Sequence, residues 1–217
     1  MLMMAGCGGG GSGAGGIGGN NAPSAKHHLH GVMQGGQNPV SGSTVTLYAA
    51  GDSGYGSAAS VLATTTTDSN GKWNIATFNC PVPIVLIDPM AGDVQAATTV
   101  CDTGSCVPGI SPETYLVAVG GDSGSGGNNA IAMMAALGPC DEIQPSTNVV
   151  INELTTIAGQ WALQQFANAR GNDIGAPISN LGGLANAFAT IANLVSINPS
   201  NLSVSGGPSN FLPTSAA

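Results

Sequence analysis

Ala63-Thr64-Thr65-Thr66-Thr67-Asp68-Ser69-Asn70-Gly71-Lys72-Trp73-Asn74-Ile75-Ala76-Thr77-Phe78 is the stretch on which the reading of the fold turns. A β-branched run, Ser60 to Thr67, leads into Asp68-Ser69-Asn70-Gly71. Asn-Gly accepts the positive φ that tight hairpin turns demand. Lys72 to Phe78 then returns, with Trp73, Ile75 and Thr77 alternating onto one face. The pattern predicts a hairpin over 64–78, its turn built by Asp68, Asn70 and Gly71.

Strand signals continue on both sides. Ser43 to Ala49 alternates, with Val45, Leu47 and Ala49 on one face and Thr44, Thr46 and Tyr48 on the other. His27 to Met33 reads as an earlier strand closed by Gly35-Gly36. Downstream, Ile84 to Ile87, Tyr115 to Val119, Ala130 to Leu137 and Asn148 to Ile151 are short apolar runs bounded by Gly, Pro and Asn. About seven short strands with turns between them predict a mainly-β chain with an Ig-like sandwich.

The period then changes. From Asn152 to Asn168, Leu154, Ile157, Ala158, Trp161 and Phe166 fall at helical spacing, and Trp161 and Phe166 are expected in the core. Leu181, Leu184, Ala185, Phe188, Ile191, Ala192 and Val195 repeat the stripe, with Ser179 or Asn180 as N-cap. A helical hairpin therefore follows the sandwich. One helix cannot bury its stripe alone, so the pair packs on the sandwich, on itself or on a further domain. The expected organisation is a leader and tether over 1–24, a sandwich over 25–151, a helical hairpin over 152–197 and a tail over 198–217.

Composition limits the function. Charged residues make up 6% of the 217, against roughly 25% in ordinary domains, so Ser, Thr, Asn, Gln and Gly carry the surface. The net charge is −8, and Lys26, Lys72 and Arg170 are the fixed cations. Nucleic-acid binding needs several Lys or Arg residues to neutralise phosphates, and an anionic membrane surface would repel this chain. No run reaches the roughly 18–20 apolar residues of a spanning helix. The cysteines are Cys7 in the leader and Cys80, Cys101, Cys106 and Cys140 in the body. An even body set without a CxxC spacing favours disulfides and an oxidising compartment over zinc.

Met4-Ala5-Gly6-Cys7 resembles a bacterial lipobox, in which the cysteine is lipidated and becomes the mature N-terminus. Glycines from Gly8 to Gly19 supply a flexible tether. Six residues precede Cys7 and none is basic, which is less than a full signal peptide requires and predicts additional leader upstream.

Gly31-Val32-Met33-Gln34-Gly35-Gly36-Gln37-Asn38-Pro39-Val40-Ser41-Gly42-Ser43-Thr44-Val45-Thr46-Leu47-Tyr48, together with Ala63 to Trp73, resembles carboxypeptidase-regulatory-like domains. The resemblance implies a transthyretin-like (prealbumin-like) sandwich and an accessory, non-catalytic role without a cofactor. Tyr115 to Gly121, Asn128-Asn129, Ala135 to Cys140 and Val150 to Thr156 are similar to a group of bacterial surface lipoproteins. In that group the segment often precedes NHL-type propeller repeats, which implies a downstream domain, with Ile84 to Cys106 as an insertion. The four body cysteines allow three connectivities. Resemblance and spacing favour Cys80–Cys140 and Cys101–Cys106.

Other motifs touch on chemistry without completing it. Gly51-Asp52-Ser53-Gly54 and Gly121-Asp122-Ser123-Gly124 match the nucleophile segment of serine proteases, but that chemistry needs a histidine base and a buried aspartate. The histidines, His27, His28 and His30, cluster beside the tether, and Asp, Ser and Gly are ordinary turn formers. His28 and His30 would share a strand face and are weak metal candidates. Asp52, Asp88, Asp93, Asp102 and Asp122 lack the spacing of a calcium loop. Asn152 and Glu153 read as a helix start. The expectation is an extracytoplasmic, lipid-anchored module that binds a glycan or a protein; a serine hydrolase and a metal-binding module are the alternatives.

Overall fold

The computed structural model describes residues 27–83, 99–102, 105–108, 110–124, 131–145, 147–169, 171–197 and 204–205. Cys7, the tether and the strand expected at Ile84 to Ile87 lie outside them.

The chain is mainly β, built as two sheets with a helical layer on the second. The first sheet holds β1 (His27–Gly35), β2 (Asn38–Pro39), β5 (Lys72–Phe78) and β10 (Asn148–Ile151). β1 is central: β5 pairs with it antiparallel and β10 parallel. The second sheet runs in the order β4 (Ser60–Thr66), β3 (Thr44–Ala49), β8 (Glu113–Val119), β9 (Ala132–Pro139). A separate ribbon, β6 (Thr99–Asp102) with β7 (Ser105–Pro108), sets Cys101 opposite Cys106 in register. The side chains of that pair lie outside the described set. A two-residue ribbon, β11 (Ser196–Ile197) with β12 (Val204–Ser205), follows the helices.

The hairpin expected over 64–78 does not form within one sheet. β4 pairs with β3, whereas β5 pairs with β1, so Asp68 to Gly71 is an arch carrying the chain from one sheet to the other. The turn chemistry itself is local. The Asp68 carboxylate accepts from the backbone N–H of Asn70 at 2.8 Å and of Lys72 at 2.9 Å, and Gly71 has φ +71°. Gly71 also packs under the Met33 carbonyl, where a Cβ would collide.

A second departure lies in β5. Trp73 and Ile75 point inward, but Thr77 is exposed and Phe78 is buried instead. The register against β1 moves from Leu29↔Ile75 to His27↔Phe78. Three residues of β5 thus span two of β1, and this bulge resets the alternation.

The core between the sheets contains Leu29, Met33, Val45, Leu47, Trp73, Ile75, Leu116 and Ile151. Cys80, after β5, is disulfide-bonded to Cys140, after β9, with Cα atoms 5.6 Å apart. The bridge therefore staples the first sheet to the second.

A second core lies between the outer face of the second sheet and the helices. Tyr115, Met134, Leu163, Phe166, Leu184, Phe188 and Ile191 build it. β8 is consequently buried on both faces, which is why it reads as an almost continuous apolar run. α1 (Glu153–Leu163) starts with a capping box: the Asn152 side chain accepts from the Thr155 N–H, and the Thr155 hydroxyl accepts from the Asn152 N–H, both at 3.0 Å. The same turn covers the free edge of β9, because Thr155 donates to the Met134 carbonyl at 2.8 Å and Thr156 accepts from its N–H at 3.0 Å. Such cover satisfies backbone groups that an edge strand otherwise exposes. Gly159 lies where a Cβ would come within 3.1 Å of the Met134 side chain, so the helix sits close on the strand.

α2 (Leu181–Leu194) buries Leu184, Phe188 and Ile191 on this sheet, so of the packings open to its stripe the one on the sandwich is present. Asn180 is its N-cap residue but makes no side-chain cap; its amide donates to the Tyr55 hydroxyl at 2.8 Å instead.

Candidate functional site

Four groups of residues could carry chemistry. The GDSG loops come first. The loop holding Asp52 and Ser53 leaves β3 beside Ala49, and the loop holding Asp122 and Ser123 leaves β8 beside Val119. Ala49 is opposite Thr114 and Thr44 is opposite Val119, so the two loops lie at opposite ends of the second sheet. A strand of that length separates them by roughly 17 Å. Ser53 Oγ donates to its neighbour Asp52 Oδ1 at 3.2 Å, and both residues are exposed. The Asp122 carboxylate accepts from the Gly124 N–H at 2.8 Å, while its backbone exchanges two 2.8 Å hydrogen bonds with Ser41. Both motifs act as turns in this geometry.

The histidines lie on β1, in the other sheet. His27 Nδ1 is 3.2 Å from the Ile143 carbonyl, and its ring lies against Phe78. His28 and His30 stack with centroids 6.4 Å apart on the outer face. Among the described residues, no three His, Cys, Asp or Glu side chains converge into a metal-sized cluster.

Glu113 escaped the sequence reading. It begins β8 and is 5% exposed, and its Oε2 is buried without a hydrogen-bond partner. Alternation sets Glu113 on the face of Tyr115, toward the helices. That alternation was the signal that could have revealed it. It borders a cavity of about 20 Å³, lined by Gly51, Asp52, Ser111, Leu181 and Leu184 among others, enough for a single water. Burial, with the nearby carboxylates of Glu142 and Asp141, pushes its pKa from 4.5 up to about 7.

The folded state therefore binds more protons than the unfolded state between those values. The contribution of Glu113 to stability is fully present below the unfolded pKa and is lost as pH rises through the folded one. By linkage the loss approaches about 3 kcal/mol. Glu113→Gln is expected to flatten the urea-unfolding free energy between about pH 5 and pH 8, and to leave the variant more stable than wild type at the upper end of that window. An unchanged pH slope would exclude this role for Glu113.

Tyr115 is the structural counterpart on the same face. Its ring is fully buried and stacks on Tyr48 with centroids 5.4 Å apart. Its hydroxyl donates to the Asn172 carbonyl at 3.1 Å and accepts from the Ile174 N–H at 3.2 Å, anchoring the connection between the helices. Burial raises its pKa.

The fourth group is on the helical layer. Trp161, expected in the core, is 61% exposed, and Ile157, one turn earlier, is 65% exposed. Phe166, expected there too, is fully buried. α1 rests on β9 and α2 through Ala158, Gly159 and Leu163, which leaves the 157/161 face outward. Beside Trp161 is a groove of about 310 Å³ lined by Ala162, Gln164, Gln165, Ala187 and Thr190. None of these side chains ionises. Gln164 and Gln165 are exposed, and the Thr190 hydroxyl donates to the Asn186 carbonyl at 2.8 Å, leaving its lone pairs free.

No family model matches the chain, and no curated protein does. A solved structure, a 9R-lipoxygenase from Cyanothece PCC8801, aligns with 58% of this chain at 18% identity and a TM-score of 0.30. The chain spans 16% of that enzyme's length. A likeness of that quality bears on neither the fold nor the activity of the protein.

Proposed function

We propose that this protein is a non-catalytic module of the bacterial envelope, lipid-anchored through Cys7, that presents a binding surface on a stapled sandwich. The Cys80–Cys140 bridge carries the reading, because such a bridge persists in an oxidising, extracytoplasmic compartment. The use made of the carboxylates supports it. Asp68, Asp122 and Glu153 accept from backbone N–H groups of turns, and Asp173 accepts from the Ala59 N–H and the Asn168 amide. These are structural tasks. The lipobox-like leader, and the likeness to carboxypeptidase-regulatory-like domains of surface lipoproteins, point the same way.

The test is metabolic labelling with an alkyne fatty acid in a bacterial host, with the gene expressed behind its native upstream sequence. The expected result is label in the membrane fraction for wild type and none for Cys7→Ser. A wild-type protein that stays unlabelled and reduced in the cytoplasm would refute the reading.

A further inference from the structure

We infer that the groove beside Trp161 is a binding site for a neutral saccharide. The inference deepens the reading of the chain as a binding module by naming the ligand class. Three observations converge on it.

The first is the contrast among the aromatic side chains. Trp161 is 61% exposed; Tyr55, at 59%, takes the Asn180 amide on its hydroxyl and lies against Phe166, whereas Trp73 between the sheets is 3% exposed and Phe166 and Phe188 of the helical layer are buried. Leaving an indole and the neighbouring Ile157 in water forgoes burial worth about 2–4 kcal/mol, and apolar clusters kept at the surface mark interaction sites.

The second is the rim. Gln164, Gln165 and Thr190 offer amide donors, amide acceptors and a hydroxyl around the indole. A flat apolar face ringed by a few polar groups suits an amphipathic ring ligand. Sugar rings have that character: an apolar C–H face that stacks on the indole, and equatorial hydroxyls that take the amides.

The third is charge. Within α1 the ionisable residue is Glu153, at the far end of the helix from Trp161, and α2 has none. Among the described residues that line the groove, an anionic ligand would meet no cation and a cationic ligand no carboxylate. The groove's uncharged lining therefore selects a neutral polar ligand. Its volume of about 310 Å³ lies at the low end of small-ligand sites, which fits one or two sugar rings of a longer chain.

The experiment is affinity electrophoresis of the purified protein through native gels containing dextran, mixed-linkage β-glucan, arabinoxylan or galactomannan, with polygalacturonate as the charged control. Tryptophan fluorescence follows the same titrations, since Trp161 supplies the solvent-exposed emission. At least one neutral polysaccharide is expected to retard the protein and blue-shift its emission. Trp161→Ala should weaken that binding at least tenfold without lowering the melting temperature, and Gln164→Ala with Gln165→Ala should weaken it several-fold. Failure of every neutral polysaccharide to retard wild type would overturn the inference. So would retardation unchanged in Trp161→Ala, or a concentration-dependent dimer that Trp161→Ala abolishes, which would assign the face to a second copy. None of these results touches lipidation at Cys7, so the two proposals fail separately.

Discussion

Gly31→Ala is expected to destabilise the protein by about 3 kcal/mol or more, the upper end of what overpacking costs. Gly31 sits in the middle of β1, opposite Val149 of β10 and Trp73 of β5. A Cβ there would fall on the Val149 carbonyl oxygen and within 2.6 Å of Cζ2 of the Trp73 ring. Neither neighbour can yield. The carbonyl belongs to the parallel ladder, and the indole is 3% exposed in the core between the sheets. The need for glycine is steric, since close approach of another backbone is what a strand glycine permits.

Gly36→Ala is the matched control. Gly36 has φ +63°, and a Cβ added to it would meet nothing within 4 Å, so only left-handed strain of about 1 kcal/mol is expected. Urea titrations of the two variants measure the difference. Equal losses would show that the packing of Trp73 over Gly31 does not limit stability.

Opening the Cys80–Cys140 bridge should have the other large effect. The cysteines are 60 residues apart, and closing a loop of that length removes unfolded-state entropy worth about 4 kcal/mol. That is a large part of the roughly 5–15 kcal/mol by which a domain is typically stable. The loop also contains β6, β7, β8 and β9, so reduction frees the path between the two sheets. Wild type in dithiothreitol and the Cys80→Ala, Cys140→Ala double variant should both melt well below the oxidised protein and lose their cooperative transition at physiological temperature. A melting temperature indifferent to reductant would mean that packing alone holds the sheets together.

Much of the architecture was legible because its causes are local. Period-two alternation in Ser43 to Ala49, the bounded apolar run from Ala130 to Leu137, found as the strand Ala132–Pro139, and the Asn152 cap each depend on residues within a few positions of one another. The arch at Asp68 to Gly71 shows where such reading stops. Its turn hydrogen bonds are encoded in the turn's own residues, but those bonds are compatible with a hairpin or with a crossing between sheets. Which one forms depends on β1, far earlier in the chain, where Gly31 leaves room for Trp73. The bulge that buries Phe78 in place of Thr77 likewise appears only against its partner strand.

The candidate sites divide in the same way. The turn roles of Asp68 and Asp122 follow from their own neighbours, so sequence could assign them. Alternation along β8 puts Glu113 on the face of Tyr115, but neither its burial nor the exposure of Trp161 is readable from sequence, because burial is a property of what packs on a residue. Glu113 is enclosed by α2, which comes much later in the chain. Trp161 is left in water because Gly159 and two threonines dock the other side of α1 on β9. Strands, turns, helix starts and a surface almost without charge follow from the order of residues alone. The sheet that each strand joins, and the exposure of Trp161, were settled only by folding, since those outcomes rest on contacts between segments far apart in the chain.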